Sequence, residues 1–262
     1  MRLLALVCLG GVLWAGSYTA KVEPINSVTL KAAAAGAVIE APRRLEGTRL
    51  QHTRIVRLDD AMDRKRLQQA QNDKVLLERM IALNEATLEI ERETAARQKR
   101  YYERMRHLST ASQTQKDNAF NAYAAAQNRA NALEEKILSL RQQLNATETT
   151  IAQLKDTIDK KNVVASGYLF RLMVRQGEYV APGTPLARVD RIDKAKLVIY
   201  VSREETDDIK KKRVFLNGNP TEYRVSKVWR VTDDTYLSSY RVEIDINASD
   251  YRFGDLVNVE LK

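Results

Sequence analysis

The chain has 262 residues, 43 of them Lys or Arg and 34 Asp or Glu, with a formal net charge of +9 and 44% hydrophobic residues. It contains only 10 Gly and 5 Pro, and none of these lies between Gly47 and Gly167. So long a stretch without turn-forming residues excludes an ordinary globular domain there and favours continuous helix. Basic and acidic residues are interleaved through the stretch, as on a solvated helix surface, so the net charge does not predict a nucleic-acid partner.

The first 17 residues are predicted to be a targeting segment. Arg2 precedes an apolar stretch of about 14 residues that ends in small residues, which is the pattern of a secretory signal peptide. The stretch is shorter than the roughly 20 residues that span a bilayer, so we expect export with cleavage after Ser17; an uncleaved anchor is the alternative. Cys8 is the only cysteine and lies inside this segment, so the mature chain would have no thiol for a disulfide, nucleophile or metal site.

Two heptad patterns occupy the glycine-free stretch, and each predicts a helix with one buried stripe. The first has two interleaved rows: Leu67, Lys74, Ile81, Leu88, Ala95 and Tyr102, and Ala70, Leu77, Asn84, Glu91, Gln98 and Met105. The second also has two: Tyr123, Ala130, Ile137, Leu144, Ile151 and Ile158, and Ala126, Leu133, Leu140, Thr147 and Leu154. The first pattern includes several polar members, whereas the second is strongly apolar. Stripes of this kind have to pack against another helix, so the patterns predict a helical pair.

Residues 107–118, HLSTASQTQKDN, separate the two patterns. Ser, Thr, Asn and Asp favour turns and caps because their side chains bond to nearby backbone groups. Either Ser112 or Asp117 is a candidate N-cap for the second helix. A short connection makes the helices antiparallel neighbours. With roughly 45 residues in each arm, the hairpin is expected to extend about 70 Å.

Short glycine-punctuated segments precede and follow the predicted hairpin. Residues 27–60 and 163–201 share one plan, in which small residues precede a glycine (Gly36; Gly167) and alternating apolar residues, a turn and a short strand follow. Alternation at a period of two indicates strands. We therefore predict that both segments build one small β domain into which the hairpin is inserted.

This order of elements resembles the periplasmic adaptor, or membrane fusion protein, family of Gram-negative bacteria. The resemblance covers nearly the whole chain after the signal segment, and it rests on the position of the hairpin between two β halves. It also rests on a pattern in the second half: Gly167, Gly177, Val180, Gly183, Leu186 and Asp190. It implies an α+β fold in which a long antiparallel α-helical coiled-coil hairpin is inserted into a lipoyl-like β barrel-sandwich domain and followed by a small β-barrel domain.

The domain division implied by the resemblance has five parts: a signal peptide at 1–17, the first half of the lipoyl-like domain at 27–59, the hairpin at 60–161, the second half at 162–192 and the β-barrel domain at 193–262. Alternating β-branched residues after residue 194 are typical of strands. Many adaptors continue into a further membrane-proximal β domain, for which we expect no room in this chain.

The resemblance also implies a docking motif at the hairpin tip. In the family an Arg, a Leu four residues later and a Ser seven residues after that pack against an outer-membrane channel. Arg104 and Leu108 have this spacing, and Gln115 occupies the Ser position. A shortened turn would instead bring Ser112 into that role, followed by Asp117, and we prefer this alignment. The alternative is that Arg104 and Leu108 are ordinary helix residues near a turn.

No pattern in the sequence predicts catalysis, a cofactor or a metal site. His52 and His107, the only histidines, lie in different segments and neither accompanies a carboxylate cluster. The sequence has neither a glycine-rich phosphate loop nor a nucleophile elbow. A lipoyl or biotinyl carrier domain is rejected because Lys194 follows the second half, whereas a carrier lysine lies between the halves.

We therefore predict a non-enzymatic adaptor that an N-terminal signal exports to the periplasm, where it associates with the inner membrane. The resemblance implies three kinds of partner: an inner-membrane transporter that is ATP-driven or proton-driven, an outer-membrane channel protein, and further copies of this chain, with six copies as the family precedent. The alternative function is a structural coiled-coil scaffold of the cell envelope without a transport role.

Overall fold

The computed structural model describes residues 16–232 and 238–262. Two long helices, α1 (Ala61–His107) and α2 (Gln113–Lys160), form an antiparallel hairpin, and a short helix, α3, spans Arg203–Thr206. The strands are β1 (Gly16–Lys31), β2 (Gly36–Glu40), β3 (Arg49–Leu58), β4 (Asn162–Leu172), β5 (Tyr179–Val180), β6 (Pro185–Val201), β7 (Val214–Leu216), β8 (Asn219–Pro220), β9 (Val225–Val228), β10 (Tyr240–Asn247) and β11 (Leu256–Leu261). The predicted α+β class, with a long helical hairpin and separate sheet regions, is confirmed.

The buried residues of the hairpin follow the predicted heptad rows. In α1 they are Ala70, Ile81, Leu88 and Ala95; in α2 they are Ala119, Ala126, Ala130, Ile137, Leu140 and Ile158. Ala119 extends one predicted row by a further heptad. Two polar members of the α1 rows pair across the seam: Lys74 Nζ lies 2.6 Å from Glu148 Oε1, and Glu91 Oε2 lies 3.1 Å from Arg129 Nε. These two charged positions are therefore accommodated by ion pairs with α2 rather than by burial.

The two β segments that flank the hairpin pair with each other strand by strand. The second half of β1 pairs antiparallel with β6, β2 with β5, and β3 with β4. They share one core, to which Ile55, Val56, Leu58, Leu169 and Leu186 contribute side chains without exposed area. We call this unit the proximal β domain because it holds both ends of the hairpin.

Gly167 shows why this unit needs glycine where β4 approaches β6. Its φ is +121°, in the region that L side chains rarely adopt, and a Cβ there would lie 3.1 Å from the Asp190 carbonyl oxygen. Only a residue without a side chain allows the two backbones to come this close without strain.

The remaining strands form a second unit, the distal β domain, which includes the N-terminal strand. The first half of β1 pairs with β11, and the last part of β6 pairs with β10. The core contains Val22, Leu197, Ile199, Leu216 and Ile244. The sequence-based division at residue 193 did not foresee that residues 16–24 belong to this unit. Both β1 and β6 run through the two β domains, and the β1–β6 register shifts between Pro24 and Asn26.

The predicted signal peptide lies outside the described residues as far as residue 15. Gly16 and Ser17 pair with Leu261 and Glu260 in the distal β domain. Cleavage after Ser17 would therefore remove two residues from the start of this ladder. In the parts of the chain that the structure describes, no helix is both long and apolar enough to cross a membrane.

Candidate docking site at the hairpin tip

Charged groups fix the base of the hairpin, where α1 leaves β3 and α2 returns to β4. Lys161 Nζ lies 2.5 Å from Asp63 Oδ2, and the two side chains are only 13% and 14% exposed. The same ammonium donates to the carbonyl oxygen of Asp59 (2.8 Å), and the Leu58 N–H donates to the Lys161 carbonyl oxygen (2.9 Å). The start of α1 and the end of α2 are therefore both tied to the proximal β domain.

Asp60 is the buried carboxylate of this base and immediately precedes α1. Its side chain is 5% exposed, and Oδ2 accepts hydrogen bonds from Arg64 Nε (2.9 Å) and Nη2 (2.7 Å). The hydrogen bond from Arg64 is the main reason that the pKa of Asp60 lies below its ordinary value; burial acts in the opposite direction and is outweighed. Asp60 is therefore ionised at neutral pH and contributes to the base as a charged group.

Small and aromatic residues close the seam just below the tip. Ala119 is buried, so the two helices can approach closely there. The Tyr102 ring lies 5.4 Å from the Phe120 ring in a tilted arrangement and 6.4 Å from the Tyr123 ring in a stacked one, measured between centroids. Both geometries are favourable for aromatic pairs. These rings hold the two helix ends together.

A reciprocal cap forms the turn at the tip. Ser112 precedes α2, and its Oγ accepts the Gln115 N–H (3.3 Å) while Gln115 Oε1 accepts the Ser112 N–H (2.9 Å). This capping box satisfies two backbone donors that a helix start otherwise leaves unpaired. Ser112 is therefore the N-cap, and the alternative, Asp117, instead accepts a hydrogen bond from Gln113 Nε2 within α2 (2.8 Å).

The exposed surface of the tip is apolar and basic. Leu108, which directly follows the last residue of α1, is 47% exposed although its N–H still donates to the Met105 carbonyl oxygen (3.2 Å). Arg104 lies one helical turn below it on the same face and is also exposed. Among the described residues Arg104 forms no ion pair. A partner that offers an apolar groove beside an acidic group would match this surface.

All five predicted tip residues lie in the last turn of α1, the connecting turn and the first two turns of α2. The structure brings Ser112 and Gln115 together through the cap, and it places Leu108 just past the end of α1, four residues after Arg104. Asp117 lies on α2, where its carboxylate accepts a hydrogen bond from Gln113. Whether these side chains bind a channel stays a prediction.

Sequence reasoning missed two aromatic residues at the tip. Tyr101 and Phe120 are 46% and 47% exposed. Tyr101, Arg104 and Leu108 are separated by three and four residues, so they share one face of α1. That spacing was available in the sequence and extends the candidate surface by one helical turn.

The ionisable side chains of the two β domains are the other candidates for a functional site. In residues 16–232 and 238–262 no cluster of three His, Cys, Asp or Glu side chains is placed to hold a metal ion. A concavity of about 770 Å³ in the proximal β domain includes His52 and Asp190 in its lining. The Asp190 carboxylate is already bound by Ser27 Oγ (2.6 Å) and Arg188 Nε (3.1 Å). The other histidine, His107, ends α1 at the tip.

Known proteins match this chain by structure and not by sequence. No protein-family model matches the sequence, and no curated protein matches it. The crystal structure of MacA from Actinobacillus actinomycetemcomitans superposes with a TM-score of 0.68 at 15% identity, over 95% of this chain and 78% of that one. The membrane fusion protein Spr0693 from Streptococcus pneumoniae R6 has a TM-score of 0.55 at 11% identity, over 93% and 99%. ZneB from Cupriavidus metallidurans has a TM-score of 0.50 at 16% identity, over 94% and 97%.

The chain has the fold of the membrane fusion proteins. The similarity extends over more than nine tenths of this chain in all three comparisons, so it includes the hairpin as well as both β domains. A membrane fusion protein fold accounts for the two β segments that pair across the hairpin. It also accounts for the long helical arm, which contacts the proximal β domain at its base.

Proposed function

We propose that this chain is the adaptor subunit of a tripartite efflux or type I export complex, where it links an inner-membrane transporter to an outer-membrane channel. The observation that carries the proposal is a stiff arm of about 70 Å that ends in an exposed apolar and basic tip. A helical pair fixed at its base by buried charges keeps two partners at a set separation. It offers a contact surface and no reaction centre.

In this proposal the tip is the channel-docking element. Leu108 would enter an apolar groove between channel helices, and Arg104 would pair with an acidic group beside it, because a guanidinium on an exposed face gains most from a carboxylate partner. Ser112 and Gln115 would hold the turn in shape, with Asp117 presenting its remaining carboxylate oxygen. The family motif and the exposure of Leu108 support this assignment.

The β domains have the assembly role. We assign the proximal β domain as a lipoyl-like barrel-sandwich, because its two halves pair strand by strand, and the distal β domain as the β-barrel of the family. Copies of the chain, six by family precedent, would form a ring over the transporter, since head-to-tail contacts close into rings when the rotation permits. The hairpins would then stand side by side around a lumen.

The chain would act by assembly, not by catalysis. The transporter, ATP-driven or proton-driven, supplies the energy, and the substrate passes through the lumen of the ring. The N-terminal segment 1–17 would deliver the chain to the periplasm, where the distal β domain lies near the inner membrane. This arrangement gives every described part of the molecule a position between the two membranes.

A growth assay tests the function. A strain without the gene is compared with strains carrying the wild-type chain, Leu108→Asp or Leu138→Asp, on a panel of antibiotics, dyes, detergents and metal salts. Leu138 is a suitable control because it is 64% exposed and lies far from the tip on α2. We expect Leu108→Asp to match the deletion strain and Leu138→Asp to match the wild type. Wild-type growth of Leu108→Asp on every compound that the deletion sensitises would contradict the tip assignment.

A further inference from the structure

The hairpin carries a second apolar row outside its seam. Leu76, Leu83 and Ile90 recur every seven residues on α1 and are 59%, 62% and 63% exposed. Met80, which is 44% exposed, lies beside this row between the first two. At about 100° per residue, the row lies roughly 130° around α1 from the centre of the seam. The α2 arm of the same hairpin therefore cannot cover it.

A row of small, uncharged residues occupies the equivalent position on α2. Ala132, Ser139 and Ala146 recur every seven residues and are exposed. Relative to the α2 seam they hold the same heptad position that the apolar row holds relative to the α1 seam. Each helix therefore contacts its own partner on one side and presents a distinct row on a nearly opposite side.

The ion pairs between the arms show which residues lie at the same height. These pairs are Lys74 with Glu148, Glu85 with Arg141, Glu91 with Arg129 and Arg92 with Glu134. Interpolation between these ion pairs shows which residue of one row lies at the same height along the hairpin as each residue of the other, to within about 3 Å. We call such residues level partners. They are Leu76 with Ala146, Leu83 with Ser139, and Ile90 with Ala132. Each large apolar residue is level with a small one, three times in succession.

This matching of heights has a consequence in a ring. Rotation about the ring axis leaves every residue at its own height, so α1 of one copy meets α2 of the next copy at the levels just given. A large side chain opposite a small one lets two helices interdigitate and pack closely. Both rows are uncharged, so their contact would bury apolar surface rather than charged groups of the rows themselves.

We propose that the apolar row of α1 (Leu76, Leu83 and Ile90) packs against the small-residue row of α2 (Ala132, Ser139 and Ala146) in a second copy of this chain. This contact is the lateral interface between neighbouring hairpins, and it rests on the self-association that the proposed function includes. It assigns the exposed leucines of the arm to a neighbouring copy and leaves the tip free for the channel.

The contact is too small to hold an isolated pair of hairpins together. The rows are about 21 Å long, and a helix is about 10 Å wide, so each copy buries on the order of 200 Å² in this contact. Stable protein pairs bury roughly 800 Å² per partner. The contact therefore forms only where other contacts, such as those between β domains in a ring, already hold the copies side by side.

Disulfide trapping in cells tests the interface, with Cys8 replaced by Ser in all variants. The full-length chain carries the level pair Leu83→Cys and Ser139→Cys. Both positions lie on outer faces of the hairpin, so one chain cannot close the bond by itself. Oxidation with copper phenanthroline should give a ladder of covalent multimers.

The matched control pairs Leu83→Cys with Ala132→Cys. These two positions differ in height by about 10 Å, which exceeds the roughly 7 Å that a disulfide can bridge. This control should give at least fivefold less multimer.

A second pair of variants tests the apolar contact itself. With Leu76→Cys and Ala146→Cys as the reporter pair, Leu83→Glu should reduce the multimer ladder at least fivefold. Leu138→Glu should leave it unchanged, because Leu138 is equally exposed, at 64% against 62%, but lies outside both rows.

Two results would overturn the interface: equal trapping by the level and off-level pairs, or no ladder from the level pair in a chain whose circular dichroism shows an intact hairpin. If trapping fails while Leu108→Asp still loses growth like the deletion strain, the interface is wrong and the adaptor function is retained. If the multimer ladder forms while Leu108→Asp grows like the wild type, the tip assignment is wrong and the interface is retained.

Discussion

At its base the hairpin is held by buried charged groups and by the core of the proximal β domain, whereas at its tip it is held by one cap and three aromatic rings. Two leucines show the contrast. Leu58, just before α1, has no exposed area, and Leu108, just after it, is 47% exposed. The base has the features of a stable anchor. The tip leaves an apolar side chain exposed to solvent, which does not stabilise the fold but is typical of an interaction site.

The largest expected effect lies at the base. Leu58→Ala removes a fully buried side chain from the proximal core and leaves a cavity, so we expect the free energy of unfolding to fall by about 2–5 kcal/mol. Urea unfolding followed by circular dichroism measures it. Leu138→Ala, on the exposed surface of α2, serves as the control and should change this free energy by no more than about 0.5 kcal/mol. A Leu58→Ala effect as small as that of the control would show that the base is not anchored by this core.

The next effect concerns the Asp60 carboxylate and depends on pH. Because the folded-state pKa of Asp60 lies below its ordinary value, its charge stabilises the fold above the unfolded-state pKa of about 3.9. That contribution is lost as the pH falls through the lower folded-state value. Asp60→Asn keeps an acceptor oxygen but removes the negative charge, so it should cost about 1–2 kcal/mol at pH 7, where the hydrogen bonds from Arg64 are weakened.

Urea unfolding of the wild type and Asp60→Asn from pH 7 down to pH 3 provides the measurement. The gap in unfolding free energy between the two chains should narrow below about pH 4. A gap that stays constant across this range would mean that the ionised carboxylate is not what stabilises the base.

A smaller effect is expected at the tip cap. Ser112→Ala removes the acceptor of the Gln115 N–H, and we expect a loss of about 0.5–1 kcal/mol, the lower part of the range for helix caps, because the site is exposed. Hydrogen exchange of the Gln115 amide reports the local change. Ser109→Ala, in the same turn but outside the cap, should leave that exchange rate unaltered. Equal rates in wild type and Ser112→Ala would show that the cap contributes nothing to the turn.

The smallest effect on stability should come from Leu108→Ala. Because Leu108 is half exposed, the free energy of unfolding should change by no more than about 0.5 kcal/mol. The same variant should nevertheless lower severalfold the concentration of toxic compound that the cells survive. Parallel unfolding and growth measurements separate the two. If Leu108→Ala lost both unfolding free energy and resistance, Leu108 would stabilise the fold as Leu58 does. The proposed difference between base and tip would then be wrong.

Much of the hairpin follows from the sequence because a helical seam is a local pattern. Ile81, Leu88, Ile137 and Leu140 lie on predicted rows and are buried. General capping preference left both Ser112 and Asp117 as candidates, because either side chain can accept a backbone N–H. The Gln three residues after Ser112 completes the pattern of a capping box and would have favoured Ser112.

The assignment of strands to the proximal and distal β domains could not be predicted from a local sequence pattern. Residues 16–21 pair with β11 at the opposite end of the chain, and no local period in either segment indicates that pairing. The continuous run of β1 from the distal to the proximal β domain adds to the difficulty, because one strand belongs to two cores. Long-range pairing of this kind depends on tertiary contacts that propensity does not encode.

The central claim is that the exposed end of the arm docks on an outer-membrane channel, and photo-crosslinking in cells tests it most directly. A photoreactive amino acid replaces Leu108 and, in a control, Arg106, which lies two residues away and therefore on nearly the opposite face of α1. Mass spectrometry identifies the adducts. We predict that an outer-membrane channel protein is captured from position 108 and at least fivefold less from position 106. Capture only of copies of this chain, or of a peptidoglycan-associated protein, would contradict the adaptor function and favour an envelope scaffold.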